Sequence, residues 1–83
     1  MRKRELKPGS IWRHFKGRLY RIIGVAKYSE DMEKEFVVYS PVEPSPEYGP
    51  DQMAVRPKEM FLEKVTRDAK TFFRFEKIKD VSP

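Results

Sequence analysis

The sequence contains no cysteine, only one histidine and no long apolar run. Without cysteine the chain can form neither a disulfide framework nor a thiolate metal site. His14 alone would leave only carboxylates to complete a transition-metal sphere, so we expect no metal and no cofactor. No uncharged stretch approaches the roughly 18 to 20 apolar residues of a membrane span, and no apolar core follows the basic N-terminus. We therefore expect a cytoplasmic protein with no membrane segment.

The chain has 83 residues, which is the length of one small domain. Folding at this size buries roughly 60 to 65% of the surface that the unfolded chain exposes, so a multidomain enzyme is excluded. We expect a flexible basic tail over residues 1–7, a single β domain over residues 8–79 and a short C-terminal tail over residues 80–83.

The net charge of +5 is unevenly distributed along the chain. Residues 1–29 hold nine basic residues against one acidic, residues 30–63 hold three against nine, and residues 64–83 hold six against three. Such segregation suits pairing between segments of opposite sign at least as well as it suits a basic binding face. Any nucleic-acid binding is predicted to be weak, nonspecific and carried by the tail. The tail cations are Arg2, Lys3, Arg4 and Lys7.

The first half of the chain has the alternation and turn residues of antiparallel strands. Strands are predicted over residues 10–15, 18–28 and 36–39, the first two joined by a tight turn at Lys16-Gly17. Gly24 lies inside the second strand and predicts a bulge or sharp bend. Residues 29–34 are predicted to form an acidic connection to the third strand.

The second half begins with a long proline-rich loop. Four prolines in residues 41–52 prevent both strand pairing and helix formation there. A short strand over residues 53–56 and one helical turn over residues 58–61 follow, and two further strands are predicted over residues 62–66 and 72–78. A helix over residues 58–70 is the competing interpretation, because the spacing of the apolar residues does not distinguish the repeat of a helix from that of a strand.

The predicted fold class is all-β: a strongly bent antiparallel sheet of five or six strands, closed into a small SH3-like barrel with one short helical turn. A single open sheet packed by one helix is the alternative. We assign Phe15, Phe36, Phe61 and Phe75 to the core, because so small a domain needs large apolar groups to offset chain entropy. The amphipathic aromatics are candidates to line a recognition groove. These are Trp12, Tyr20, Tyr28, Tyr39 and Tyr48.

Short blocks along the chain carry a family resemblance. The blocks are Pro8-Gly9, His14-Phe15-Lys16-Gly17 with Tyr20, Ser29-Glu30 with Glu33, Val37-Val38-Tyr39, Val55-Arg56-Pro57, Met60-Phe61 with Glu63 and Val65, and Arg74-Phe75. In this order they resemble the signature of a bacterial family catalogued as domain of unknown function 1653. The resemblance spans residues 8–78 and implies no activity. The chain departs from the family pattern at Tyr28, Ala54 and Phe73, where histidine, tryptophan and proline are common.

Our leading functional hypothesis is a noncatalytic binding module for a peptide, protein or nucleic-acid ligand. The predicted binding residues combine cations, carboxylates and amphipathic rings. They are His14, Lys16, Tyr28, Ser29, Glu30, Glu33, Tyr39 and Arg56.

The competing class is a small enzyme, or an accessory domain of one. In that interpretation His14 acts as a base oriented by a carboxylate, with Ser29 as the nucleophile. The simpler interpretation of His14 is a half-buried side chain that is hydrogen-bonded to a turn. No glycine-rich phosphate loop or nucleophile elbow supports catalysis.

Arg56 lies at a predicted strand end before Pro57, where it could present its guanidinium fork to a carboxylate or phosphate. The alternative is an internal ion pair with Glu30, Glu33 or Glu63, which the charge segregation favours. We expect the ion pair, with Glu30 or Glu33 as the first partner.

Overall fold

The computed structural model describes residues 4–43, 46 and 52–81. Seven strands and one short helix lie in these ranges. In chain order they are β1 (Ile11–His14), β2 (Leu19–Tyr28), β3 (Asp31–Pro41), β4 (Ala54–Pro57), α1 (Lys58–Leu62), β5 (Lys64–Arg67), β6 (Lys70–Phe73) and β7 (Phe75–Lys79). No helix within these ranges is long and apolar enough to cross a membrane.

The strands form an antiparallel five-stranded sheet in the order β4-β3-β2-β1-β7 and a separate hairpin of β5 and β6. The all-β prediction with one short helix is confirmed. The larger sheet is not closed into a barrel, since β4 and β7 do not pair with each other in the described part of the chain. Both edge strands of this sheet are short. The single strand predicted over residues 72–78 is divided into two strands at Arg74. Its first half therefore pairs with β5, and its second half pairs with β1.

The β2–β3 hairpin forms the long central part of the sheet. Its register shifts between Ile22 and Gly24, which confirms the predicted bulge. The hairpin closes at Tyr28 and Asp31, so the connection is only the turn at residues 29 and 30. The acidic segment was predicted to be a longer loop. It instead extends β3 with exposed side chains over residues 31–34.

The helix ends early. Pro57 occupies its N-cap, and Glu63 is already extended. The Glu63 carbonyl accepts a hydrogen bond of 3.0 Å from the Arg74 N–H, and β5 begins at the next residue. The alternative helix over residues 58–70 is therefore wrong.

The core is built from aromatic and β-branched side chains on the inner face of the sheet, with Phe61 of α1 packed against them. Phe61 and Phe75 stack with ring centroids 3.9 Å apart, and both are buried as predicted. Phe15 and Phe36 are only half-buried. Among the described residues the buried apolar set is Trp12, Tyr20, Ile22, Val37, Tyr39, Phe61 and Phe75.

Three of the predicted groove aromatics belong to this core. Trp12 is fully buried and donates its indole N–H to Ser10 Oγ at 3.0 Å, and Tyr20 and Tyr39 pack edge to face at 5.2 Å. Trp12 and Tyr39 serve the core, because a small sheet needs their area. Tyr20 also packs in the core but borders a surface cleft as well. Tyr28 is exposed, whereas Tyr48 lies outside the described residues.

The N-terminal segment is anchored at Arg4. Its guanidinium donates to the carbonyls of Phe75 at 2.8 Å and Leu62 at 3.0 Å and lies 3.8 Å from the ring centroid of Phe73. Leu6 packs against the core. Arg4 and Leu6 therefore pack against the body, whereas the division into a tail over residues 1–7, a domain over residues 8–79 and a tail over residues 80–83 stays a prediction.

Candidate functional site

The turn between β1 and β2 brings a group of cations to one corner of the sheet. The Gly17 N–H donates to the His14 carbonyl at 2.7 Å, and the His14 N–H donates to the Arg18 carbonyl at 2.9 Å. Gly17 has φ of 109°, a conformation that side chains rarely adopt, so glycine allows this tight reversal. Lys16 and Arg18 consequently lie exposed on either side of Gly17.

His14 is half-buried at the base of this turn. Its ring stacks on Phe15 at 4.5 Å and meets the edge of Phe75 at 4.9 Å. Nδ1 accepts a hydrogen bond of 3.1 Å from the Lys16 N–H, so the proton of the neutral imidazole is assigned to Nε2. The predicted contact between a half-buried histidine and a turn is confirmed.

Charge and burial act together on His14. Burial lowers the pKa of its imidazole below the ordinary value, and the positive charges of Arg56, Arg74 and Lys16 lower this pKa further. No carboxylate in the described ranges forms an ion pair with His14. Near neutral pH the imidazole is therefore a neutral N–H donor surrounded by cations.

Arg56 enters the same corner from β4. It lies opposite Val37 on β3, and its Nε donates to Tyr39 Oη at 3.1 Å. The guanidinium carbon lies 5.5 Å from the ring centroid of Phe75. Tyr39, the predicted binding residue, is therefore buried behind Arg56 and orients it.

The prediction that Arg56 forms an ion pair with Glu30, Glu33 or Glu63 is wrong. No carboxylate within the described ranges lies in ion-pair distance of Arg56, and Glu63 pairs with Arg74 instead. The reason is geometric: Glu30 and Glu33 lie at the far end of the β2–β3 hairpin, whereas Arg56 points along the inner face toward Tyr39. The two terminal nitrogens of Arg56 have no hydrogen-bond partner among the described residues.

These side chains border a cleft of about 660 Å³, which we call the cationic cleft. Val42 reaches it because its N–H donates to the Leu19 carbonyl at 3.0 Å, which ties the end of β3 to the start of β2. Glu43 is the one acidic residue of the lining in the described part of the chain. The described residues of the lining are His14, Lys16, Gly17, Arg18, Leu19, Tyr20, Val42, Glu43 and Arg56.

The structure separates the predicted binding residues into two groups. His14, Lys16 and Arg56 meet at the cationic cleft, with Tyr39 directly behind. The other predicted residues lie near the opposite end of β2, a ten-residue strand that at about 3.3 Å per residue runs for roughly 30 Å. These are Tyr28, Ser29, Glu30 and Glu33.

Five described lining residues were missed by sequence analysis: Gly17, Arg18, Leu19, Val42 and Glu43. Arg18 follows the predicted Lys16-Gly17 turn, so its position just after the glycine was the available signal. Val42 and Glu43 could not be placed without knowing that β3 continues through Pro41 and returns to Leu19. Within the described ranges, no group of three or more His, Asp or Glu side chains is arranged to hold a metal ion.

Fold and cleft together define a small all-β domain with a cationic cleft at one corner of the sheet. Residues 10–77 match the family described as Protein of unknown function (DUF1653), and the chain belongs to this family. The match confirms the resemblance inferred from the sequence blocks. A crystal structure of a protein of this family from Bordetella bronchiseptica is 27% identical and superposes with a TM-score of 0.74 over 99% of each chain. Comparison with curated proteins gave no match.

Proposed function

We propose that this protein is a noncatalytic binding module that recognises an anionic group in the cationic cleft. The observation that carries the proposal is the environment of Arg56: its Nε donates to Tyr39 Oη, while its terminal nitrogens form no ion pair with a carboxylate of the described residues. A guanidinium held at one nitrogen loses less conformational freedom when it binds a ligand.

The surrounding charges support an anionic ligand. Lys16 and Arg18 have no ion-pair partner within the described ranges, and they border the same cleft as Arg56. Three cations gathered around one concave site repel one another, so an anion that enters the cleft relieves this repulsion. The neutral His14 adds an N–H donor without adding charge.

The alternative enzyme function has less support. A histidine base would need Ser29 or a carboxylate within hydrogen-bond reach. His14 Nδ1 instead accepts from the Lys16 N–H, and Ser29 lies beyond the far end of β2. Binding of protein, peptide or nucleic acid, weak nucleic-acid contacts of the N-terminal cations, and a cytoplasmic location stay predictions.

Titration with sodium sulfate and sodium benzoate, followed by amide chemical shifts in NMR, tests the proposal. We expect saturable shifts confined to residues that line the cleft. Arg56→Gln should weaken binding roughly 10- to 100-fold, as expected for a lost hydrogen bond to a charged group. Arg21→Gln removes an equal charge from an exposed position outside the cleft and should leave the affinity nearly unchanged. Equal losses in both variants, or no saturable shifts with either anion, would overturn the proposal.

A further inference from the structure

We infer that the cationic cleft takes a phosphomonoester, that is, a dianionic phosphate group carried on a small apolar or aromatic moiety. This inference rests on the proposed function, since it specifies which anion the cleft binds.

The net charge of the cleft lining favours a dianion. Among the described lining residues, Lys16, Arg18 and Arg56 supply three fixed positive charges, and Glu43 supplies one negative charge. A phosphomonoester carries about 1.5 to 2 negative charges near neutral pH, which matches this excess. A carboxylate or a phosphodiester carries one negative charge, and either would leave one cation of the cleft without compensation.

The number and kind of donors favour the same group. Four residues with donor side chains line one cleft: Lys16, Arg18, Arg56 and His14, whose neutral ring carries its proton on Nε2. A phosphomonoester has three terminal oxygens that accept several charge-assisted hydrogen bonds at once, whereas a carboxylate has two. More of these donors can therefore be satisfied by a phosphate group than by a carboxylate.

The apolar part of the lining indicates that the phosphate is esterified. The cleft volume of about 660 Å³ falls within the roughly 300 to 1,000 Å³ of pockets that hold small organic ligands. Leu19, Tyr20 and Val42 are among the residues that border it. These side chains cannot compensate charge, but they can shield an apolar or aromatic ester group from water.

The experiment is a calorimetric titration of the full chain with phenyl phosphate, benzoate and inorganic phosphate at one ionic strength. We expect phenyl phosphate to bind roughly tenfold more tightly than benzoate, as one further charge-assisted hydrogen bond provides. It should also bind more tightly than inorganic phosphate, because only the ester contacts the apolar wall. Arg56→Gln should weaken phenyl phosphate binding roughly 10- to 100-fold, and Arg21→Gln should not.

The outcomes distinguish this inference from the proposed function. Benzoate binding as tight as phenyl phosphate binding overturns the phosphomonoester inference but leaves an anion-binding module. Equal affinity for inorganic phosphate and phenyl phosphate overturns the inference that the apolar wall contacts an ester group. No binding of any of the three anions overturns both. Phosphorus NMR of the same samples should show intact phenyl phosphate, and release of inorganic phosphate would contradict a noncatalytic module.

Discussion

Replacement of Arg4 by alanine tests whether the N-terminal segment belongs to the folded body. Arg4 donates one hydrogen bond to the Phe75 carbonyl on β7 and one to the Leu62 carbonyl at the end of α1. Its guanidinium also lies 3.8 Å from the ring centroid of Phe73 on β6. One side chain therefore connects the five-stranded sheet, the helix and the small hairpin.

The size of the effect follows from these contacts. Hydrogen bonds from a charged donor contribute about 1.5 to 3 kcal/mol each, and a cation on an aromatic face contributes about 0.5 to 2 kcal/mol. Partial exposure of Arg4 places each contribution near its lower limit, so we expect Arg4→Ala to lower the free energy of unfolding by about 3 kcal/mol. In a domain of this size that change lowers Tm by roughly 12 to 24 °C.

Urea unfolding followed by tryptophan fluorescence measures the change, since Trp12 is buried and lies 5.3 Å from the Arg4 guanidinium. Arg4→Lys should lose more than half of the same stability, because an ammonium cannot reproduce the guanidinium fork. Lys7→Ala, an exposed cation of the same segment, is the matched control and should change stability by less than about 0.5 kcal/mol. If Arg4→Ala and Lys7→Ala lower the free energy of unfolding by equal, small amounts, Arg4 does not anchor the segment, and the prediction of a flexible tail is supported instead.

Three further predictions concern the site and one turn. Because the pKa of His14 is lowered in the folded state, the unfolded state binds more protons, and the free energy of unfolding should fall as pH drops through about 6.5. Thermal unfolding at a series of pH values measures this fall, and His14→Gln should make Tm less dependent on pH. Tyr39→Phe removes the hydroxyl that accepts from Arg56 Nε, so it should weaken sulfate binding severalfold and lower the free energy of unfolding by about 1 kcal/mol. Unchanged sulfate binding would contradict the role of Tyr39 in orienting Arg56. Ala69 has φ of 66°, so Ala69→Gly should raise stability by about 1 kcal/mol in urea unfolding, whereas Ala26→Gly within β2 should lower it.

Local sequence signals predicted the strands and turns well, because they depend on neighbouring residues. The bulge at Gly24 and the turn after His14 follow from glycine in a strand pattern. The division of the last predicted strand at Arg74 could not be seen, since β6 and β7 both have strand-forming sequences and differ only in their distant partners.

The candidate site was predicted in part for the same reason. His14 and Lys16 lie within one turn, so sequence proximity was enough to group them. Arg56 was expected to pair with an acidic residue, because charge segregation along a chain does not specify which side chains share a face of the sheet. Its actual partner, Tyr39, lies diagonally opposite on the neighbouring strand, a contact that requires the β3–β4 register.

The cationic cleft is assembled from three distant parts of the chain: the turn after β1, the end of β3 and the middle of β4. These parts lie together only when the sheet is folded, so the unfolded chain has no equivalent site. A ligand of the cleft therefore binds the native state alone and shifts the folding equilibrium by mass action. At a concentration 100 times its Kd, such a ligand would stabilise the native state by about 2.7 kcal/mol. Thermal unfolding can consequently rank candidate ligands of this protein without any knowledge of its biological role.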